Sequence, residues 1–119
     1  MQQTLEELAL QDCVPCEGGV PALEGPELAA LMRKLAAPWE LVEEHHLERE
    51  YTFDGYAPAV DFMNAVAHIA QKQNHHPDIG LTYGKVKITV WTHKADGLTL
   101  NDFVFAAKVE KLSQEGAYC

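Results

Sequence analysis

The period of the apolar residues changes repeatedly along this chain, and that alternation limits the fold more than any other feature. After Pro26, a residue suited to a first helical turn, Leu28, Leu31, Met32 and Leu35 recur at helical spacing, and Pro38 closes the segment. From Trp39 to Phe53 the period falls to two. Leu47, Arg49, Tyr51 and Phe53 share one parity, while His46, Glu48, Glu50 and Thr52 share the other. This predicts a short strand over 39–42, a turn near Glu43–His45, and a strand with a polar outer face. Asp54-Gly55 breaks the chain. Ala59, Phe62, Met63, Val66, Ile69 and Ala70 then form a helical stripe, so roughly residues 56–73 make the longest helix. Gly80–Tyr83 and Lys85–His93 read as two strands joined near Gly84. Thr99-Leu-Asn-Asp102 is a capping-box pattern opening a last helix, with Leu100, Phe103, Val104 and Ala107 facing inward.

The order α-β-β-α-β-β-α predicts an α+β fold, a four-stranded antiparallel sheet packed with three helices. Residues 25–115 form a single domain on this reading. Residues 1–24 are an amino-terminal lead-in, whose "CVPCEGGVP" holds too much Gly and Pro for a regular element. At 119 residues the chain supports one core and not two. A formal charge of −9 with no Lys/Arg cluster argues against nucleic-acid or anionic-membrane binding. The start "MQQTLEELAL" lacks the basic and apolar regions of a secretory signal, and no apolar run is long enough to cross a bilayer. Three cysteines are too few for a disulfide framework and fit a reducing compartment. The expectation is an acidic, cytoplasmic protein whose exposed sheet edges favour strand-to-strand dimerisation.

The histidines divide by context. His45 and His46 lie among Glu43, Glu44 and Glu48 and read as solvated surface residues. His68 falls off the apolar stripe of its helix and reads the same way. His75 and His76 are different. Asn74 can end the helix in a left-handed conformation, and Pro77 pushes His76 into an extended one. Two imidazoles then leave the chain in different directions at a helix–strand junction, a place that commonly carries site residues. The plainer alternative is a polar helix cap favoured by the helix dipole. His93 is out of phase with the core residues Val86, Ile88 and Val90, so it is either an exposed strand-end residue or part of a pocket walled by Trp91.

Together these positions closely resemble the signature of the pterin-4a-carbinolamine dehydratases. The signature runs "HHP", Tyr83 seven residues after His76, His93 ten beyond it, and Asp102 nine further on. The resemblance covers about Pro26 to Leu112, and "CVPCEGG" looks like bacterial members. It implies dehydration of a 4a-hydroxytetrahydropterin to the quinonoid dihydropterin plus water, recycling a tetrahydrobiopterin-type cofactor. It also implies a homodimer or homotetramer, and no metal or organic cofactor, since the pterin is the substrate. On this resemblance His75, His76 and His93 are the catalytic residues, with His75 and His93 as an acid/base pair and His76 orienting the pterin. Histidine suits either proton transfer near neutral pH. Asn74, Pro77, Trp91 and Thr92 are implied to flank the substrate. Asp102 supports the site, although it also holds the N3 position of its own capping box.

One position departs from the pattern. Where the family has an acid four residues before the first histidine, this chain has Gln71, which shares a helix face with His75 at i, i+4 and binds substrate on this reading. Glutamine can hydrogen-bond a pterin or an imidazole but cannot stabilise an imidazolium by charge. Two other functions compete. A zinc site could combine Cys13 and Cys16 with two of His75, His76 and His93. A non-catalytic dimerisation module is the other, since some animal relatives partner a transcription factor. If the dehydratase reading holds, removal of residues up to about Gly19 should leave the sheet and the activity largely intact.

Overall fold

A computed structural model of the chain describes residues 5–13, 21–35 and 38–115, with the side chain of Glu115 excepted. Four strands build one antiparallel sheet in the order β1-β2-β4-β3: β1 (Glu40–Val42), β2 (His46–Thr52), β3 (Asp78–Thr82) and β4 (Lys85–Val90). The register sets one apolar face. Leu47 lies opposite Val90, Arg49 opposite Ile88 and Tyr51 opposite Val86, while Ile79 and Leu81 face Ile88 and Val86 from the other side. The alternate residues, including Glu48, Glu50, Lys85 and Lys87, form the polar face that the period of two requires. The α+β architecture expected from the apolar periods is therefore present.

Three of the helices follow the expected pattern. Helix α2 (Gly25–Leu35) buries Leu28 and Leu35, and α3 (Tyr56–Gln73) buries Ala59, Phe62, Val66 and Ala70. Helix α4 (Leu100–Glu115) is more deeply enclosed than its sequence suggested. Phe103 to Ala107 and Val109 are all buried, because α4 packs against α1, α2 and α3 and also reaches over β2. Leu100, expected on the inner face, is 45% exposed. It occupies the first turn, where side chains lean toward the helix start and so point past the end of the core.

The further helix, α1 (Leu5–Leu10), was not expected: it precedes the Gly- and Pro-rich stretch of the lead-in, to which the sequence reading assigns no element. Its Leu8 is buried, and Lys108 of α4 donates to the carbonyl of Ala9 at 2.7 Å. A six-residue helix has little stability alone. Its apolar side is held by packing, which a local composition count does not register.

One polar cluster is enclosed with the core. Glu110 accepts from Trp39 Nε1 (3.0 Å), Arg49 Nε (3.2 Å) and Tyr51 Oη (2.6 Å), and the Arg49 guanidinium lies 4.0 Å over the Tyr51 ring. This explains how Arg49 can share the inner face of β2: its charge is paired and hydrogen-bonded. Burial, reinforced by the neighbouring Glu110 carboxylate, pushes the Tyr51 phenol well above its ordinary range.

Candidate functional site

The helix–strand junction forms as its residues dictate. Asn74 takes the left-handed conformation (φ 55°, ψ 42°), and the His75 amide donates back to the carbonyl of Ala70 at 3.1 Å. That turn lifts His75 off the helix cylinder, so helical spacing no longer governs its neighbours. Gln71 therefore does not meet His75. Its Oε1 lies 3.3 Å from Nε2 of His76, and the i, i+4 pairing expected from the sequence is replaced.

His75 has another partner. Its Nε2 donates to Oδ1 of Asp102 at 2.7 Å, with His75 only 11% exposed and Asp102 fully buried. The second carboxylate oxygen of Asp102 accepts from the Thr99 amide and from the Thr92 hydroxyl, each at 2.8 Å. Thr92 has one hydroxyl proton and gives it to Asp102, so Thr99 must donate in the 2.8 Å Thr92–Thr99 contact. Asp102 thus holds the capping position expected from the sequence and also bonds His75. One oxygen caps α4 through the Thr99 amide, and the other fixes His75 as the Nε2–H form, so that Nδ1 is its acceptor nitrogen.

The strand expected to run to His93 stops at Val90. Leu47–Val90 is the last β2–β4 pair, and beyond it Thr92 bridges Gly97 to close a tight loop. A 3-10 turn, His93–Ala95, occupies that loop, and Asp96 ends it in a left-handed conformation (φ 51°). Gly97 is needed there: a Cβ would lie 2.7 Å from Cβ of Ala22. His93 leaves the loop and stacks on Trp91, centroids 4.4 Å apart and planes 4° from parallel.

A cavity of about 530 Å³ brings these pieces together, within the ~300–1,000 Å³ typical of small-molecule sites. Asn74, His75, His76, Trp91, Thr92 and His93 line it, as expected. Gln71 and Pro77 are not among its lining residues, and Asp102 sits behind the wall it braces. Tyr83, part of the spacing pattern, also lies elsewhere, 77% exposed and stacked on Tyr56.

Sequence reasoning missed three wall residues, Gln73, Lys94 and Asn101. All three are chain neighbours of expected ones, which was an available signal. Cys13 also lines the wall, and only the competing zinc reading had set it beside these histidines. The Gln73 side chain clamps its segment, accepting from the Cys13 amide at 2.8 Å and donating to Asp12 at 3.1 Å. Burial pushes the Cys13 thiol up to about 11, and its Sγ contacts the Asn101 carbonyl at 3.6 Å, so it is a protonated wall residue and not a ready metal ligand. Cys16, its proposed zinc partner, lies outside the described residues. Among the described residues no group of three or more His, Cys, Asp and Glu side chains is placed to hold a metal ion.

The second histidine pair is not simply solvated, as the sequence suggested. His45 and His46 are half-buried, hydrogen-bonded to Asp96 and Glu48, and packed against Trp91. His68 is exposed, as expected.

Imidazoles around a half-open cavity, one held by a buried carboxylate, define an acid–base site on an α+β sheet. A model of the family described as "Pterin 4 alpha carbinolamine dehydratase" matches residues 21–112, and the chain belongs to that family. A protein of Rubrobacter xylanophilus is 56% identical over 108 residues, covering 91% of this chain and all of its own length. One from Alkaliphilus metalliredigens is 44% identical over 111 residues, covering 93% and 100%. Both carry the name "Putative pterin-4-alpha-carbinolamine dehydratase". A solved structure described as a transcriptional coactivator/pterin dehydratase from Brucella melitensis matches with a TM-score of 0.70 at 29% identity, covering 76% of this chain and 97% of that one.

Proposed function

We propose that the protein removes water from a 4a-hydroxytetrahydropterin to give the quinonoid dihydropterin, recycling a tetrahydrobiopterin-type cofactor. The observation that carries the reading is the Asp102–His75 pair, which opens onto the same cavity as His76 and His93. The reaction needs one proton delivered to the C4a hydroxyl as it leaves as water, and one taken from the ring nitrogen as the C=N bond forms. Asp102 stabilises the imidazolium that His75 becomes on accepting a proton, so His75 is the base toward the ring nitrogen. His93, exposed and stacked on Trp91, is the acid toward the hydroxyl. His76 orients the pterin, with Asn74, Trp91 and Thr92 beside it. Gln71 and Pro77 act on the substrate through the position of His76. On this reading the two imidazoles supply the chemistry, with no metal or organic cofactor. The protein works in the cytoplasm as a homodimer or homotetramer.

Turnover of a freshly generated 4a-carbinolamine, followed by absorbance, tests this reading. His75→Ala should lower kcat by roughly 10²-fold, the scale of a lost general base. Asp102→Asn, which favours the other tautomer of His75, should lower kcat with little change in KM. Wild-type protein that leaves the spontaneous dehydration rate unchanged would refute the reading.

A further inference from the structure

We infer that the His45–His46 doublet is a positioning device for the cavity, holding Trp91 and the loop that carries His93. The inference rests on the dehydratase reading only in the activity it affects. Its structural part stands alone.

The doublet sits where the β1–β2 turn ends. Glu43 and Glu44 both have φ of 54°, the positive values a type I′ turn requires, in a place where Asn-Gly would be the unstrained choice. The strained turn sends the two imidazoles toward a loop fifty-one positions on in sequence, where His45 Nε2 meets Oδ1 of Asp96 at 2.9 Å. Asp96 closes the short turn that His93 opens, its amide donating to the His93 carbonyl at 3.1 Å. A tie at Asp96 therefore restrains the turn at the end opposite His93. The rings add a second restraint. His45 and His46 lie 5.4 and 5.9 Å from Trp91, whose indole stacks on His93. Trp91 thus has three imidazoles around it, one facing the cavity chemistry and two bracing it.

The hydrogen bonds form a line: Asp96, His45, His46, Glu48. Nδ1 of His45 lies 3.1 Å from Nδ1 of His46, and Nε2 of His46 lies 3.2 Å from Oε2 of Glu48. Both Nε2 atoms face carboxylates and must carry protons. The central contact needs one further proton, on one nitrogen only. All three bonds form together when the pair holds three protons on four nitrogens, a single positive charge between two carboxylates. With one fewer, two lone pairs oppose each other somewhere in the line; with one more, two N–H groups collide at its centre. The surrounding charges are Glu43 and Glu44 in the turn, Lys87 of β4 3.7 Å from Glu48, and Lys94 and His93 in the loop. An isolated ion pair this exposed would contribute little. Linked to the indole and to a second carboxylate, it fixes geometry.

The test combines turnover with NMR of the His93 ring, which the stacked indole shifts upfield. The variants are His45→Ala, Asp96→Gly, which keeps the left-handed backbone accessible while removing the carboxylate, and His45→Gln, which retains a donor toward Asp96. His45→Ala and Asp96→Gly should each move the His93 resonances downfield and lower kcat about tenfold, because small misplacements of a reacting group cost rate. KM should change less than about threefold, the double variant should be no worse than either single one, and His45→Gln should restore most of the loss. Unmoved His93 resonances with kcat within about twofold of wild type would overturn the inference. If wild-type protein lacks dehydratase activity, the functional reading falls, and the His93 resonances alone decide this one.

Discussion

Gln71 stands where the family pattern has an acid, and its neighbour in space is His76, not His75. His75 already has a carboxylate in Asp102. A glutamate at 71 would therefore favour the charged form of His76, by the ordinary effect of opposite charge. Gln71→Glu should carry the NMR titration of His76 to higher pH and change KM for the pterin, while the pH profile of kcat stays in place. A shifted kcat profile would return Gln71 to the side of His75. At Cys13 burial opposes the thiolate, raising the thiol from 9.0 to about 11. With Cys16 and Cys119 replaced by serine, alkylation of Cys13 at pH 8 should be about a hundredfold slower in the folded protein than in urea. The native state holds the Cys13 proton more tightly than the unfolded chain does. Its contribution to stability is therefore present below about pH 9 and is lost as pH rises through about 11.

Helix α1 joins the amino-terminal segment to the core through Leu8 and to the cavity through Cys13. The expectation that residues up to Gly19 are dispensable is therefore replaced. Truncation before Pro21 should expose the α4 surface that α1 covers and open one wall of the cavity. A gentler test is Leu8→Ala, expected to cost about 3 kcal/mol in urea unfolding with an unchanged m value, the scale of a buried leucine. A loss under about 0.5 kcal/mol would show that α1 docks only weakly. The loop 91–97 teaches the same lesson in reverse. Trp91 and His93 keep the parity of Lys87 and Thr89, which looks like continuing strand, yet β2 supplies no partner beyond Leu47, and an unpaired strand end is free to turn.

Among the described residues the outer edges of β1 and β3 have no strand neighbour. The charged residues Glu48, Glu50, Lys85 and Lys87 lie on the central strands β2 and β4, so they do not guard the edge strands β1 and β3, and an open edge is either covered or pairs with another copy. The proposed homo-oligomer is checked by sedimentation equilibrium at micromolar concentration, where the mass should be two or four times 13.2 kDa. A monomer mass across that range would remove it. No helix among the described residues is long and apolar enough to cross a membrane.

The sequence by itself determined the order of elements from α2 to α4 and the three histidines of the cavity. The reason is local: a period of two or 3.6, a left-handed Asn74 and a capping Asp102 act within a few residues of themselves. It also placed His75, His76 and His93 in one set, through spacing shared with a family. What only the tertiary structure decided depends on approach between distant segments. Asp102 reaches His75 across twenty-seven positions, Cys13 enters the cavity across sixty to Gln73, and His45 reaches Asp96 across fifty-one. No periodicity or local stereochemistry encodes those distances. They follow from which faces the core buries, and so the partner of each histidine is a property of the packed molecule.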